Sequence, residues 1–148
     1  MDKLDHVKYL LDQIGMPPAQ QSTLCCLTLL AMADVKKDGS FKDATNEWIR
    51  IHDVISFIDK EYGVVYAENS RETFRKQAMH HFRTAAIIED NGKSTNSPNY
   101  RYRITNEFLR VIRAIKEFDG WMAAEDDSYE VHDFLSRHQR LKDIYANR

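Results

Sequence analysis

The sequence of 148 residues predicts a mainly α-helical fold in a single domain. Apolar residues recur every three or four positions over most of the chain, which is the pattern of amphipathic helices. One stretch instead alternates in polarity around a polar, turn-rich loop, as a two-stranded β-hairpin does. Because this hairpin follows a series of helices that ends in a basic one, the order of elements predicts a winged helix-turn-helix. We expect a small two-stranded β-hairpin wing and extra N- and C-terminal helices.

The N-terminal half contains three predicted helices, over residues 4–14, 19–33 and 48–62. Gly15 ends the first helix and Gly63 ends the third, because glycine adopts the left-handed conformation that closes a helix. The segment 36–40 is a predicted loop, in which Asp38-Gly39 supplies a residue with positive φ.

A fourth helix and the hairpin follow. Asn69 or Ser70 is expected to cap this helix. Its buried stripe, with spacings of 4, 4 and 3, consists of Phe74, Ala78, Phe82 and Ala85. The two strands are predicted over residues 86–89 and 100–104, on either side of the polar loop 90–99.

Further helices are predicted after the hairpin. One covers residues 106–118, and an acidic linker, Glu125-Asp126-Asp127, separates it from two terminal helices over 129–137 and 139–146. The sequence contains no internal repeat.

Charge is unevenly distributed along the chain. The whole sequence has a net charge of -2, from 21 basic and 23 acidic residues. Residues 71–116 contain ten basic and four acidic residues, a net charge of +6, so the remainder carries -8. A basic block within an acidic chain indicates a polyanionic partner.

The sequence does not support a membrane protein, a secreted protein or a metal-binding protein. Apolar runs fall short of the roughly 20 residues of a membrane span, and the N-terminus lacks the apolar region of a signal peptide. We therefore expect a cytoplasmic protein without a membrane partner. Adjacent Cys25 and Cys26 suit neither a disulfide nor zinc-ligand spacing, and core packing is expected of them. The histidines show no metal-ligand spacing, so we expect no metal, cofactor or small-molecule substrate in this chain.

The fourth helix, 69–85, presents a polar face. At 100° per residue, the side opposite the buried stripe carries Asn69, Thr73, Lys76, His80 and Arg83. Arg71 and Arg75 lie nearer the core side. Arg71, in the first turn, can still reach outward, whereas Arg75 is expected to brace either Glu72 or a backbone carbonyl. Asparagine, lysine and arginine match base edges, and threonine matches a phosphate or a thymine methyl group. These six outward residues are candidate DNA contacts, and an ordinary solvated helix face is the alternative.

The wing, 90–101, adds three candidate DNA contacts: Ser94, Asn96 and Arg101. Serine and asparagine suit turn formation as well as phosphate contact, so the loop alone is not specific. Tyr100 and Tyr102 share one face of their strand, and we expect them to pack against the helices rather than stack on bases.

The segment from Asn69 to Phe82, Asn-Ser-Arg-Glu-Thr-Phe-Arg-Lys-Gln-Ala-Met-His-His-Phe, resembles the N-terminal domain of BsuBI/PstI-type restriction endonucleases. Its flanks are similar to that family as well. They comprise the stretch from Arg50-Ile51 to Tyr62-Gly63, the segments Asn96-Ser97-Pro98 and Tyr102-Arg103-Ile104-Thr105, and the terminal His138-x-x-Leu141-x-x-x-Tyr145-Ala146.

The resemblance implies a type II enzyme that cuts palindromic DNA with Mg²⁺, in which a winged-helix domain precedes a PD-(D/E)xK catalytic domain. Such a site needs two carboxylates for the metal and a lysine that assists the attacking water. The acid-x-lysine match in this chain, Asp34-x-Lys36, closes a predicted helix and lacks an upstream Pro-Asp. We therefore expect residues 1–148 to form one DNA-binding domain without a catalytic site. Its winged-helix core is about 19–118, and the C-terminal helices, about 119–148, lead to an absent catalytic domain that would hold the Mg²⁺.

The sequence thus predicts the DNA-binding domain of a type II restriction endonuclease, with double-stranded DNA as its partner and a homodimer compatible with the pattern. One alternative is a protein-interaction or dimerisation module whose winged helix does not touch DNA. That hypothesis requires Lys76 and Arg83 to be buried against a partner or paired with acids of the flanks. A second alternative is a stand-alone transcriptional regulator.

Overall fold

The computed structural model describes residues 2–117 and 129–147. It is mainly α-helical with one two-stranded antiparallel sheet, so the predicted fold class is confirmed. The helices are α1 (Lys3–Gln13), α2 (Thr23–Met32), α3 (Ile51–Phe57, extended by a π-helical turn at Ile58–Tyr62), α4 (residues 71–84), α5 (Asn106–Arg113) and α6 (Tyr129–Ala146). The strands are β1 (Ile88–Asp90) and β2 (Tyr102–Ile104), and 3₁₀ turns occupy Pro18–Gln21, Phe41–Asp43 and Glu68–Ser70.

β1 and β2 form the predicted hairpin, with Ile88 opposite Ile104. Both strands begin two residues later than predicted. The first is delayed because Ala86 has a positive φ of 60°, which turns the chain between α4 and β1. On the other edge of β2, Ile49 forms an isolated bridge with Tyr102, with N–O distances of 2.8 and 2.9 Å.

The predicted second helix is interrupted near its start. After the 3₁₀ turn Pro18–Gln21, Ser22 adopts an extended backbone, and its Oγ accepts a hydrogen bond from the Cys25 N–H at 3.3 Å. This N-cap starts a new helix, so the prediction of one helix over 19–33 is wrong in its first four residues.

Both cysteines are free and buried, as predicted, and burial raises the pKa of Cys26 to about 12.

The segment between α2 and α3 also differs from expectation. α3 begins three residues late, because Ile49 is held in the bridge to β2. Gly63, with φ of 69°, ends the helix as predicted. The residue with positive φ near the loop is Asp34, at 55°, rather than Asp38 or Gly39, so that prediction is wrong. Asp34 follows the C-cap of α2, where a left-handed residue reverses the chain, and aspartate tolerates that conformation.

The C-terminal helix α6 is continuous, so the prediction of two terminal helices is wrong. The stretch contains no glycine or proline, and a single stripe of buried residues runs along it: Val131, Phe134, Leu141 and Tyr145. α5 is shorter than predicted and ends at Arg113. The predicted end of that helix at Phe118 and the acidic linker 125–127 lie outside the described residues.

The hydrophobic core lies around α4, which packs against α2, α3 and α6. Its largest fully buried side chains include five phenylalanines: Phe41, Phe74, Phe82, Phe108 and Phe134. Because α4 is at the centre, burying its apolar stripe fixes the position of its opposite, polar side relative to the hairpin.

Residues 2–117 and 129–147 contain neither a membrane-spanning helix nor a cluster of metal ligands. No helix there is both long and apolar enough to cross a membrane. Within the same ranges, histidine, cysteine, aspartate and glutamate side chains do not gather in groups of three or more that could hold a metal ion.

Candidate nucleic-acid interface

The start of α4 is not capped as predicted. The 3₁₀ turn Glu68–Ser70 leads directly into the helix, and the Ser70 hydroxyl donates to the carbonyl of Ala67. Ser70 therefore occupies the N-cap position of α4, but its side chain bonds within the preceding turn instead of accepting from a helix N–H. Asn69 remains exposed, with its side chain available at the surface.

The middle turn of α4 is wider than an α-helical turn. Arg71–Phe74 and His80–Thr84 are α-helical, whereas Arg75–Met79 form a π-helical turn. In it, the His80 N–H bonds to the carbonyl of Arg75, five residues back. Such a turn inserts one extra residue into a helix and occurs frequently at functional sites.

Two observations show how the fold accommodates this turn. The carbonyl of Gln77 accepts hydrogen bonds from Gln20 Nε2 at 3.2 Å and from Cys25 Sγ at 3.3 Å, which are side chains outside α4. Two consecutive residues, Ala78 and Met79, are both fully buried. The predicted stripe of Phe74, Ala78, Phe82 and Ala85 is confirmed as buried, and Met79 widens it.

The π turn also divides the predicted polar face of α4 in two. The extra residue changes the direction of the side chains that follow it relative to a regular α-helix, while Phe82 and Ala85 stay buried because the buried side widens to include Met79. His80 and Arg83 therefore face the wing, where they line a cavity of about 430 Å³ together with Tyr100. Thr73 and Lys76 are not among its lining residues, and of these two only Lys76 is fully exposed, whereas Thr73 is half-buried.

A larger groove, of about 710 Å³, separates the start of α4 from the tip of the wing. Asn69 and Arg71 line it on the helix side, and residues 95–98, which include Asn96, line it on the wing side. Asn69, Arg71 and Asn96 are all exposed. The structure thus brings three of the predicted contact residues together around one groove.

Some of the basic side chains near this groove already form ion pairs with acidic residues. Arg75 forms an ion pair with Glu72, as predicted. The Arg83 Nε donates to Asp90 Oδ2 at 2.5 Å, a contact that the sequence did not indicate.

Three other basic side chains remain available to contact phosphates. Arg71, Lys76 and Lys93 are exposed and form no ion pair with any residue of the described ranges. An exposed, unpaired cation can approach a phosphate without first losing an acidic partner.

Internal hydrogen bonds fix the backbone of the wing. Arg101 Nη1 donates to the carbonyls of Pro98 and Tyr100 at 2.8 and 2.9 Å, so this guanidinium braces the loop. Ser94 Oγ accepts from the Asn96 N–H at 3.3 Å, which forms a small turn at the tip. The side chain of Asn96 is exposed, whereas Arg101 is only half-exposed.

The two wing tyrosines pack as predicted. Tyr102 is buried and Tyr100 half-buried, and their rings meet edge to face with centroids 4.9 Å apart. Burial raises the pKa of Tyr100, and its hydroxyl donates to Asp90 Oδ2 at 3.3 Å.

The groove also contains residues of α3 that the sequence analysis missed. Arg50 and His52, at the start of α3, line it beside Glu68. Arg50 binds Asp53 through two nitrogens at 2.9 and 3.0 Å, and this hydrogen bonding lowers the pKa of Asp53. His52 pairs with Glu68. In helix-turn-helix proteins the helix before the recognition helix crosses the DNA backbone. The position of Arg50 and His52 at the start of α3 could therefore have identified them as candidate contacts from the sequence.

The C-terminal end of α4 is fixed by α6. His138 Nε2 donates to the carbonyl of Ala85, the C-cap of α4, at 2.7 Å. The imidazole also packs against Phe134. Burial, with a smaller effect of nearby Lys142, lowers the pKa of His138, so the neutral form is favoured in the folded protein.

These features define a winged helix-turn-helix domain with a polar, cationic groove between its central helix and its wing. The chain belongs to the family described as the BsuBI/PstI restriction endonuclease HTH domain, whose family model matches residues 1–147. The resemblance found in the sequence is therefore confirmed.

Two relatives and one solved structure illustrate the similarity. The type II restriction enzyme BsuBI of Bacillus subtilis is 33% identical over 141 residues, which are 93% of this chain and 42% of that enzyme. The type II restriction enzyme AplI of Arthrospira platensis is 28% identical over 142 residues, 93% of this chain and 41% of that enzyme. The chain thus spans less than half the length of these relatives.

The structure of SdaI restriction endonuclease matches with a TM-score of 0.81 and 22% identity, over 99% of this chain and 47% of that one. At this identity the match shows a shared fold.

Proposed function

We propose that this domain binds double-stranded DNA, with α4 directed at the major groove and the wing against the phosphates. The observation that carries the proposal is the groove of about 710 Å³ between the start of α4 and the wing, lined by Arg71 of α4, by Asn69 in the turn before it and by Asn96 of the wing. Asparagine can pair with adenine and arginine with guanine, whereas turn residues in a loop suit phosphate oxygens. Family membership supports the same conclusion, because the family is described by its HTH domain.

The unpaired cations give the size of the expected electrostatic effect. If Arg71, Lys76 and Lys93 each neutralise one phosphate, log K should fall with log salt concentration with a slope of about -2.7. A fourfold rise in salt then weakens binding roughly 40-fold. Arg75 and Arg83 add little to this slope, because each already has an acidic partner.

We further infer that the domain specifies or positions DNA for a restriction endonuclease, as the names of BsuBI and AplI suggest. The cleavage chemistry would reside in a separate catalytic domain with its Mg²⁺. Asp34 and Lys36 do not fit a metal site. Asp34 is an exposed, left-handed residue at the end of α2, and no group of three potential ligands surrounds it among the described residues.

A duplex titration tests the proposal. Fluorescence anisotropy of a labelled mixed-sequence duplex, at about 50 and 200 mM salt, should show binding that weakens roughly 40-fold between the two. The double variant Lys76→Ala with Arg83→Ala should bind more weakly at low salt. Lys8→Ala, an exposed lysine of α1 that does not line the groove, is the control and should bind like wild type. Failure of wild type to bind at low salt, or equal affinity of both variants and wild type, contradicts the proposal.

The alternative of a protein-interaction module receives no support from the ion pairs of the described residues. Lys76 is exposed, and the acidic partner of Arg83 is Asp90, which belongs to the basic block itself rather than to its acidic flanks. A stand-alone regulator would share the fold and the interface. Selection of binding sites from random duplexes separates the two hypotheses only if the selected site is not a short palindrome, since both kinds of protein can select one.

A further inference from the structure

The carboxylate of Asp90 connects α4 to the wing. Asp90 is the last residue of β1, and its side chain is 14% exposed. Its Oδ2 accepts from Arg83 Nε of α4 at 2.5 Å and from the Tyr100 hydroxyl of the wing at 3.3 Å. Its Oδ1 accepts from the Gly92 N–H at 2.8 Å, in the first turn of the wing. The Asp90 side chain thus bonds to α4, to the start of the wing and to Tyr100 at the end of the wing, just before β2.

This arrangement is unexpected if the surrounding surface only attracts phosphates. Asp90 lines the cavity between α4 and the wing beside Arg83 and Lys93. A carboxylate there repels DNA, and its removal would strengthen binding if electrostatics were its whole contribution. A partly buried carboxylate with several hydrogen bonds can instead hold two elements in a fixed relative position.

We propose that Asp90 is a positioning residue that sets the wing against α4 in the geometry that fits a duplex. The proposal rests on the proposed DNA binding. Arg83 acts here mainly through Asp90, as the helix anchor of the wing, rather than mainly as a phosphate ligand. Gly92 has a positive φ of 76°, so the wing turns sharply at the residue whose N–H Asp90 holds.

Asp90→Asn removes the negative charge and the Oδ2 acceptor while it keeps Oδ1. The amide oxygen can still accept from the Gly92 N–H, but the amide nitrogen that replaces Oδ2 cannot accept from the Arg83 guanidinium or from the Tyr100 hydroxyl. The wing then loses its anchor on α4 and must be ordered when DNA binds. We expect duplex affinity to fall about fivefold although a negative charge has been removed.

Glu89→Gln is the matched control. Glu89 precedes Asp90 in β1 and points to the opposite face, where it pairs with Arg103 at 3.0 Å. The substitution removes the same charge from the same strand without touching the contact to α4. Its duplex affinity should equal that of wild type or exceed it by up to about threefold.

Nitrogen-15 relaxation of the free protein provides a second measurement that does not need DNA. Order parameters of the wing residues 91–99 should fall in Asp90→Asn and remain unchanged in Glu89→Gln, while those of α4 stay constant in both. Weakened binding and a loosened wing in Asp90→Asn alone support the proposal. Unchanged or tighter binding by Asp90→Asn, or an unaltered wing, overturns it. If wild type binds no duplex, the proposed function fails, and the relaxation data alone decide whether Asp90 positions the wing.

Discussion

The hydroxyl of Thr105 stabilises the junction where α4, the hairpin and α5 meet. Thr105 is fully buried and is the N-cap of α5, where its Oγ1 accepts from the Phe108 N–H at 3.2 Å. The same hydroxyl donates to the carbonyl of Ala86 at 2.8 Å. Ala86 is the left-handed residue that leads from α4 into β1, so this bond fixes a strained turn at the end of α4.

Thr105→Val replaces the hydroxyl with a methyl group of similar volume. Loss of the cap costs about 1 kcal/mol. A buried carbonyl left unpaired at Ala86 costs about 1–3 kcal/mol more. The free energy of unfolding should therefore fall by about 2–4 kcal/mol, which lowers Tm by roughly 6–13 °C for a chain of this length.

Thr105→Ser is the matched control, because it keeps the hydroxyl and loses only a buried methyl group, at about 1 kcal/mol. Urea unfolding followed by circular dichroism, with thermal scans in parallel, measures both variants. The result that refutes the argument is a valine variant no less stable than the serine variant, since the hydroxyl would then contribute nothing.

Three further predictions concern the interface and its support. Lys76→Ala should reduce the salt slope of duplex binding by about 0.9, and anisotropy at four salt concentrations measures it; an unchanged slope contradicts a phosphate contact. Arg101→Ala should weaken binding with an unchanged slope, since its guanidinium bonds to wing carbonyls. The folded-state pKa of His138 is lowered, so its stabilising effect is complete above the ordinary value of 6.5 and is lost as pH falls below it. Urea unfolding at pH 7 and 5 should therefore show a smaller loss of stability in His138→Gln than in wild type, and equal losses contradict this role.

The parts of the fold that follow from local periodicity were predictable. The spacing of Phe74, Ala78, Phe82 and Ala85 identified the buried side of α4, and the alternation around Tyr102 identified the hairpin. Both signals depend only on which residues must leave water, and the core confirms both. The motif from Asn69 to Phe82 identified the family, because it is long and specific.

The details of the interface were not predictable, because they depend on contacts distant in sequence. Projection at 100° per residue assumes a regular α-helix, and the π turn in α4, with the Gln77 carbonyl bound to Gln20 and Cys25, breaks that assumption. The sequence therefore placed His80 and Arg83 with Lys76, whereas the structure turns them toward the wing.

Ion pairs between separate elements could not be predicted from the sequence either. The Arg75 contact to Glu72 was foreseen because the residues are three apart in one helix. The Arg83 contact to Asp90 joins α4 to β1, and only the folded structure brings them together. Both contacts matter for the site, because they determine which cations remain available for phosphates.

Mapping the bound surface residue by residue tests the central claim most directly. Proton–nitrogen NMR spectra of the chain, recorded while a duplex is added at low salt, report which backbone amides change environment. We expect the largest shifts in residues 69–83 of α4 and 92–99 of the wing, with α1 unaffected. Shifts confined to α1 or α6, or none anywhere at saturating duplex, would contradict an interface formed by α4 and the wing.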